Sequence, residues 1–527
     1  MKSVFQLKTF DDKEMLIGSS TGFFIDNQGR AVSTYVPFKN ASKAVIIDAD
    51  GKEYQVSYIL GANETYDVVK FKVDTKKSVP MPLSQASLPV GSKTWLVGYN
   101  QTKSFPVGII KKAEKFQEYF DYYTLVMQTS DNVIGCPLVN EEGKVIGIMQ
   151  QSANKKDTIG YAVSAIFADS LHITGLSFND TSLRSIKIEK ELPEELSQAL
   201  LMLYFASSAL DSINYSNLID RFIKRFPKSA EGYQYRAQLS FNKNDFEAVS
   251  KDMEQAINMV EDKDAAHFSY SRFIYQKEIL LNQLPYEKWS LDKAMSEAVK
   301  AYELNPQPIY RHQQALILFA QKKYEEASCI YNELSTSSLR SADLFVENSK
   351  CKEKIGDTIG MVAQLDSAIA TFSRPYIRQA APYLLHRAQV LMGLNEYRKA
   401  VFDLNDYESL MKTQVTAQFY YLRFQAELSG KMYQQALDDI NKAIEMQEKN
   451  DLFYSEKASL LLRVGFLDET ITTAEKLIEL VPNQSDGYLF LGIAQCMKDN
   501  KKEGLENLKK AEQMGDSQAT DMIEKFK

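Results

Sequence analysis

The chain has 527 residues, of which 44% are apolar and 25% charged, the balance of a globular protein rather than a disordered one, and its length suggests about three domains. The formal net charge is −7, and residues 1–180 are balanced at 19 basic against 19 acidic, so the acidic excess lies further on. Without a basic footprint, neither nucleic acid nor an anionic membrane surface is expected as a partner. No stretch approaches the ~18 consecutive apolar residues of an integral membrane segment. Cys136, Cys329, Cys351 and Cys496 are scattered, with neither a C-x-x-C pair nor zinc spacing, so the expectation is no metal, no cofactor and no disulfide framework.

Residues 1–175 read as β-structure. Short apolar or alternating runs (Ala44-Val45-Ile46-Ile47, Thr94-Trp95-Leu96-Val97, Val107-Gly108-Ile109-Ile110, Leu125-Val126-Met127) are separated by turn signals at Asp50-Gly51 and Glu142-Gly143, a spacing that suggests paired barrels. Three segments are more specific: Gly22-Phe23-Phe24-Ile25-Asp26 followed by Gly29-Arg30-Ala31-Val32-Ser33; Asp67-Val68-Val69-Lys70-Phe71-Lys72-Val73; and Met127-Gln128-Thr129 through Ile134-Gly135-Cys136-Pro137-Leu138-Val139-Asn140 to Gly143-Lys144-Val145-Ile146-Gly147-Ile148. In order and spacing they resemble the HtrA/Deg branch of trypsin-like serine proteases, and the resemblance implies a trypsin-like double β-barrel.

The catalytic residues of that family do not carry over. Ser33-Thr34-Tyr35-Val36-Pro37-Phe38 stands where the family has T-N-x-H-V, which puts Val36 at the histidine position. Asn132-Val133-Ile134-Gly135-Cys136-Pro137 stands where it has G-N-S-G-G-P, which puts Ile134 at the serine position. Only Asp67 matches. A serine hydroxyl needs an adjacent base, and the aspartate only orients that base. The four histidines are His172, His267, His312 and His386, so residues 1–171 contain none. Cys136, at the second position after the nucleophile, reads as a buried structural thiol. The barrel region is therefore expected to be a pseudoprotease.

Residues 176–195 read as a polar connection, with Pro193 near the start of the next helix. From 196 to 527 the sequence turns helical and repeats. Starts fall near residues 196, 230, 266, 308, 342, 381, 417, 451 and 485, several of them 34 apart. Tyr420, Tyr433, Ala436, Ile440 and Ala443 recur in register with Tyr454, Ala458, Gly465, Leu467 and Ala474, and with Tyr488, Gly492, Gly504, Leu508 and Ala511. This resembles the tetratricopeptide repeat, and implies an all-α solenoid of about eight or nine helix pairs. An insertion is expected around Leu284–Trp289, and a polar capping helix after Asp516.

Stacked helix pairs create a concave face, and inner-helix positions there include Gln389, Tyr421, Gln425 and Arg463. This mixture of amides, phenol and cation suits an extended peptide or a protein partner. The Lys/Asn clamp that some tetratricopeptide domains use for terminal carboxylates is not visible. The opening Met1-Lys2-Ser3-Val4-Phe5 runs into a strand-like segment without the apolar core of a secretory leader. The family resemblance points to a periplasmic or otherwise extracytoplasmic mature form, with a cytoplasmic protein as the alternative. The sequence predicts a non-catalytic interaction or scaffold protein. The rivals are an active peptidase using non-standard residues, such as Cys136 with Asp67, and a barrel serving only as a platform for the helices. The oligomeric state is not legible.

Overall fold

The computed structural model describes residues 3–100, 105–127, 133–152 and 158–527. Gln128, Thr129 and Asn132 of the nucleophile-like segment lie outside the described residues. The chain divides into two compact units, Met1–Ala266 and His267–Lys527.

In the first unit, β1 (Val4–Phe10), β2 (Leu16–Phe24), β3 (Arg30–Ser33), β4 (Lys43–Ile47), β5 (Glu53–Asn63) and β6 (Val68–Val73) close an antiparallel barrel in the order β1-β2-β3-β6-β5-β4. A second barrel, β10-β11-β12-β9-β8-β7, is built from β7 (Lys93–Leu96), β8 (Val107–Phe116), β9 (Phe120–Val126), β10 (Pro137–Val139), β11 (Val145–Met149) and β12 (Ile159–Ser164). Side chains alternate along a strand, so Phe5, Leu7 and Thr9 of β1 are buried while Gln6 and Lys8 are partly exposed. Phe5 meets Phe24 edge-on at 4.9 Å, and Phe38 packs on Phe71 at 5.1 Å inside the first barrel. Leu96, Ile110, Leu125, Cys136, Leu138 and Met149 fill the second. A further core joins the two, drawing Val4, Phe23 and Val68 together with Val97, Ile148 and Phe167, and the half-buried Trp95 packs against it.

The second barrel is followed by α1 (Ala165–Ser170), a 3-10 turn at Gly175–Asn179 and α2 (Thr181–Arg184). The stretch 176–195 is bonded along the first barrel: Ile59 N donates to Glu189 O at 2.8 Å, Glu191 N to Ile59 O at 3.0 Å, and Lys187 N to Ala41 O at 2.8 Å. Ile186, Ile188 and Leu192 are buried there. Helices α3 (Leu196–Ala209), α4 (Ser212–Arg225), α5 (Ala230–Asn242) and α6 (Phe246–Met259) complete the unit. They are tied in by Gly175 N donating to Gln198 Oε1 at 3.0 Å and by the Arg221 guanidinium lying 4.3 Å over the Tyr58 ring. The boundary between compact units therefore falls inside the helical stretch, after these docked pairs.

The remaining helices also come in antiparallel pairs. They are α7 (Lys263–Leu280) with α8 (Leu291–Leu304), α9 (Pro308–Ala320) with α10 (Tyr324–Leu334), α11 (Ala342–Ile355) with α12 (Thr358–Ile369), and α13 (Ala381–Gly393) with α14 (Tyr397–Met411). Then follow α15 (Ala417–Ser429) with α16 (Tyr433–Met446), α17 (Asp451–Val464) with α18 (Leu467–Leu480), and α19 (Ser485–Met497) with α20 (Lys501–Gln513), ending in α21 (Ser517–Phe526). The double barrel followed by repeated helix pairs is the architecture the sequence pattern predicts.

Three features explain why these residues make these pairs. Small residues sit where helices cross: Ala315, Ala327, Ala388, Ala400, Ala436, Ala443 and Ala458 are fully buried, and a Cβ on Gly492 would stand 2.8 Å from Gly504 O. Seven pairs reverse direction through Asn244, Lys322, Gly356, Asn395, Lys431, Gly465 or Asp499. All seven occupy the fifteenth repeat position in left-handed backbone with φ between 60° and 84°, a conformation open to glycine and least costly for Asn and Asp among the rest. In the α7–α8 pair the insertion takes that role: the buried Trp289 lies edge-on to Tyr286 at 5.3 Å and to Tyr270 at 6.1 Å.

The third feature is electrostatic. Arg236, Arg387 and Arg423 occupy the seventh repeat position and grip the aspartate sixteen residues on. Arg387 Nε and Nη2 reach Asp403 at 2.8 and 2.6 Å, and Arg423 Nε and Nη2 reach Asp439 at 2.6 and 2.9 Å. Arg236 takes Asp252 from Nη2 at 2.7 Å. Each guanidinium also reaches back to a carboxylate of the preceding pair: Asp220 for Arg236, Asp366 for Arg387 and Glu408 for Arg423. Breaking such a pair strands a buried charge, so Arg387→Ala is expected to cost about 3–5 kcal/mol. The double change Arg387→Met with Asp403→Leu should return thermal stability close to the parent's. Thermal unfolding of the full-length chain checks this, and equal losses in the single and double variants would refute it.

Candidate functional site

The positions singled out in the barrel region lie along the seam between the two barrels. Val36 opens the 3-10 turn Val36–Phe38, with its side chain 60% exposed. Asp67 sits in the β5–β6 turn with φ at 47°, held by its own amide to Glu64 O at 3.2 Å and by Tyr66 N to Asn63 Oδ1 at 2.9 Å. Its Oδ1 accepts the backbone N–H of Val36 at 2.9 Å. Burial pushes the Asp67 carboxyl up to about 6, against the opposing pull of the Val36 and Tyr35 amides. The carboxylate therefore anchors the backbone of a turn whose outward side chain is an aliphatic group.

Ile134 is half-buried and acts through its backbone, its carbonyl accepting Thr21 N at 3.0 Å. Gly135 follows with φ at 79°, and a Cβ there would stand 2.0 Å from Thr21 O, so the close approach of the two segments requires glycine. Its N–H donates to Met149 O at 2.8 Å. Cys136 is fully buried, and burial pushes its thiol up to about 11, with a bond to Thr21 acting the other way. Such a thiol is a weak nucleophile at neutral pH. Nearby, Ser33 Oγ donates to Thr21 O at 2.7 Å and meets Ser20 Oγ at 2.8 Å.

Sequence reasoning passed over two residues that matter here. Tyr122 OH donates to Gln150 Oε1 at 2.8 Å, and Gln150 Nε2 donates to Tyr66 O, the residue beside Asp67. Tyr122 feels the Asp67 charge, although burial is the larger cause raising its phenol. Tyr66 stacks on Phe116 at 4.1 Å and meets Phe167 edge-on at 5.3 Å. One polar bridge and one aromatic cluster thus span the seam. The only hint was the position of Gln150, directly after the β11 apolar run. The first histidine of the chain, His172, bonds Ser170 O through Nδ1 at 3.0 Å. It lines a separate cleft of about 610 Å³ with Arg30, Lys70 and Glu191, which contains none of Val36, Asp67 and Ile134. Lys70 is committed there to Asp169 at 2.7 Å.

In the second unit, Tyr421 and Gln425 lie one turn apart on α15. Tyr421 OH donates to Glu456 Oε1 of α17 at 3.1 Å, and its ring packs on Phe453 at 5.3 Å. Gln389 on α13 and Arg463 on α17 are exposed, and among the described residues no hydrogen bond joins either to the Tyr421 pair. The Tyr421–Glu456 bond is one of a series linking the first helices of neighbouring pairs: His312 Nε2 to Glu347 Oε2 at 2.6 Å, Tyr383 OH to Asp343 Oδ1 at 2.8 Å, and Ser455 Oγ to Asp486 Oδ2 at 2.7 Å. His312 thus joins α9 to α11. Among the described residues no group of three or more His, Cys, Asp or Glu side chains is arranged to hold a metal ion, and no helix is long and apolar enough to cross a membrane.

The fold is that of a trypsin-like barrel pair followed by tetratricopeptide-like helix pairs. Residues 20–148 match the family model of the trypsin-like peptidase domain. The chain is similar to the Hsp70–Hsp90 organizing protein of Triticum aestivum, with 27% identity over 243 residues, 43% of this chain and 39% of that protein. It also resembles the STIP1 homolog of Dictyostelium discoideum, 38% identical over 64 residues, 12% of this chain and 11% of that one. With small glutamine-rich tetratricopeptide repeat-containing protein 2 of Saccharomyces cerevisiae it shares 24% identity over 123 residues, 23% of this chain and 36% of that protein. The chain thus spans well under half the length of each of these relatives. Among solved structures, the active form of the Rv3671c protease of M. tuberculosis aligns with 16% identity and a TM-score of 0.29, over 36% of this chain and 83% of that one.

The half-buried Asp67 makes stability pH-dependent in a definite direction. Its folded value of about 6 lies above the ordinary 3.8, so between these values the folded chain holds a proton that the unfolded chain has lost. Its contribution to stability therefore falls as pH rises from about 4 to about 6 and stays constant above. Asp67→Asn keeps an oxygen for the Val36 amide without the charge. It is expected to stabilise the protein by up to about 2–3 kcal/mol above pH 6 and to have little effect below pH 4. Thermal midpoints of the two proteins across this range check the prediction, and a constant offset would refute it.

Proposed function

We propose that this protein is a non-catalytic interaction protein: a pseudoprotease barrel pair joined to a helical surface that holds a protein or an extended peptide. The observation that carries the reading is at the base position. Val36 presents an exposed aliphatic side chain above Asp67, and residues 1–171 contain no histidine to take its place. Without a base neither a hydroxyl nor the buried Cys136 thiol is activated. Ile134 contributes its carbonyl to the barrel seam, and the Tyr122–Gln150–Tyr66 bridge spans the same seam. The reading needs no cofactor.

Support for protein binding comes from the helix pairs and from their relatives, one named as an organizing protein of Hsp70 and Hsp90 and one for its tetratricopeptide repeats. Gln389, Gln425 and Arg463 are the proposed exposed contacts, with Tyr421 held in place by Glu456 as an aromatic anchor. The HtrA/Deg resemblance favours an extracytoplasmic compartment.

Two measurements test this. The full-length chain is expected neither to cleave casein nor to accept a fluorophosphonate label, and Cys136 should alkylate only as the chain unfolds. Cleavage that disappears in Cys136→Ala or Asp67→Asn would make the protein an enzyme and sink the proposal. In affinity capture, a discrete partner retained by the parent should be weakened in Gln389→Ala/Gln425→Ala/Arg463→Ala by about 1–2 kcal/mol for each contact at the centre of the interface. Undiminished capture would move the binding surface elsewhere.

A further inference from the structure

Helices α14, α15 and α16 meet around Arg423, whose side chain is 5% exposed. Its guanidinium is fully engaged: Asp439 takes Nε and Nη2, while Glu408 and Asn405 share Nη1 at 2.7 and 2.9 Å. Lys442 adds a second cation, 3.4 Å from Asp439 and 3.9 Å from Glu408. Two carboxylates face two cations, and the charges balance.

Glu427, one turn along α15, brings a third carboxyl to the same place. Its side chain is 4% exposed, and Oε1 stands 3.7 Å from an Arg423 Nε already committed to Asp439. Its Oε2 is buried with no hydrogen-bond partner among the described residues. The clusters around Arg236 and Arg387 have no such extra group, because Ser240 and Leu391 stand at the equivalent position. An ionised Glu427 would add an uncompensated charge beside Asp439 and Asp438 of α16, where burial makes it most costly. A neutral carboxyl fits the site.

We propose that Glu427 carries a proton at neutral pH and so lets α15 pack on α16 without a charge opposed to Asp439, a latch released when loss of the proton in alkaline solution loosens the helix presenting Tyr421 and Gln425. The charged groups facing Glu427 are Asp439, Asp438 and Lys442 from α16 and Arg423 from its own helix; Glu408 from α14 shares the cluster through Arg423 and Lys442. Burial first, then Asp439, pushes the carboxyl up to about 8, and Arg423 and Lys442 pull the other way without cancelling the rise. Between the ordinary 4.5 and this value the folded chain holds a proton that the unfolded chain lacks. The group's contribution to stability thus falls as pH rises through that window and levels off above it. The latch does not depend on what the helices bind.

The test compares the full-length parent with Glu427→Gln, which keeps the shape and cannot ionise. The thermal midpoint of the variant should rise relative to the parent from about pH 5 to about pH 8 and then hold a constant lead. Hydrogen-exchange protection over residues 417–446, referred to 485–513, should drop in the parent between about pH 5 and about pH 8, level off above, and stay level throughout in the variant. Parallel behaviour of the two proteins would overturn the proposal. Should the variant fail to fold, infrared spectra in the Asp67→Asn background provide the same decision. A protonated-carboxyl stretch present near neutral pH and lost in alkaline solution supports the latch, and its absence near neutral pH overturns it.

Discussion

The bond between Asp67 Oδ1 and the amide of Val36 ties the turn after β3 to the β5–β6 turn of the first barrel, on the side where the second barrel packs. A carboxylate placed in a half-buried turn gains from a fixed donor, and here a backbone N–H provides it. That bond sets the 3-10 turn, the turn carries Tyr35 and Phe38 into the first barrel, and Tyr35 in turn reaches Ser182 and Ser185 of the following segment. An aspartate that orients a base in an active protease and an aspartate that only anchors a turn can therefore share one geometry.

In the helical part, charge replaces some of the apolar contact between helices. Three arginines at one repeat position each bridge two carboxylates, one within the pair and one in the pair before. Such bridges are demanding in geometry, since a guanidinium buried between two helices tolerates little sliding. They fix the register of neighbouring pairs where alanine crossings alone leave freedom. Near the C-terminus Leu491 takes the same position and packs as an apolar side chain, so register there rests on the Gly492–Gly504 crossing.

Much of this was legible in the sequence, and the limits have physical causes. Eight of the nine repeat starts read from small and aromatic residues coincide with the first residue of a helix, because period and composition are local signals. The ninth, near 266, falls inside α7, which extends further upstream. The barrel strands were legible from alternation. The Arg–Asp bridges were not, since a charged residue in a helix ordinarily reads as a solvated face, and only the pairing of two positions sixteen apart reveals otherwise. Tyr122 and Gln150 were equally silent, because their meeting depends on how two barrels close. The stretch 176–195 looked like a polar connection by composition, yet Ile186, Ile188 and Leu192 alternate along it and face inward. The bond from Tyr421 to Glu456 was silent too, because it comes from the stacking of helices far apart in sequence.

The aromatic plug of the α7–α8 reversal has a consequence of another kind. The chain contains two tryptophans: Trp95 packs against the core joining the barrels, and Trp289 closes the inserted reversal in the second unit. Each compact unit therefore carries a single indole whose emission responds to the packing around it. A chain with Trp289 replaced by phenylalanine reports optically on the first unit alone, and one with Trp95 replaced reports on the second alone. Nature has labelled the two units separately, and whether they melt together or in succession can be read by their own light.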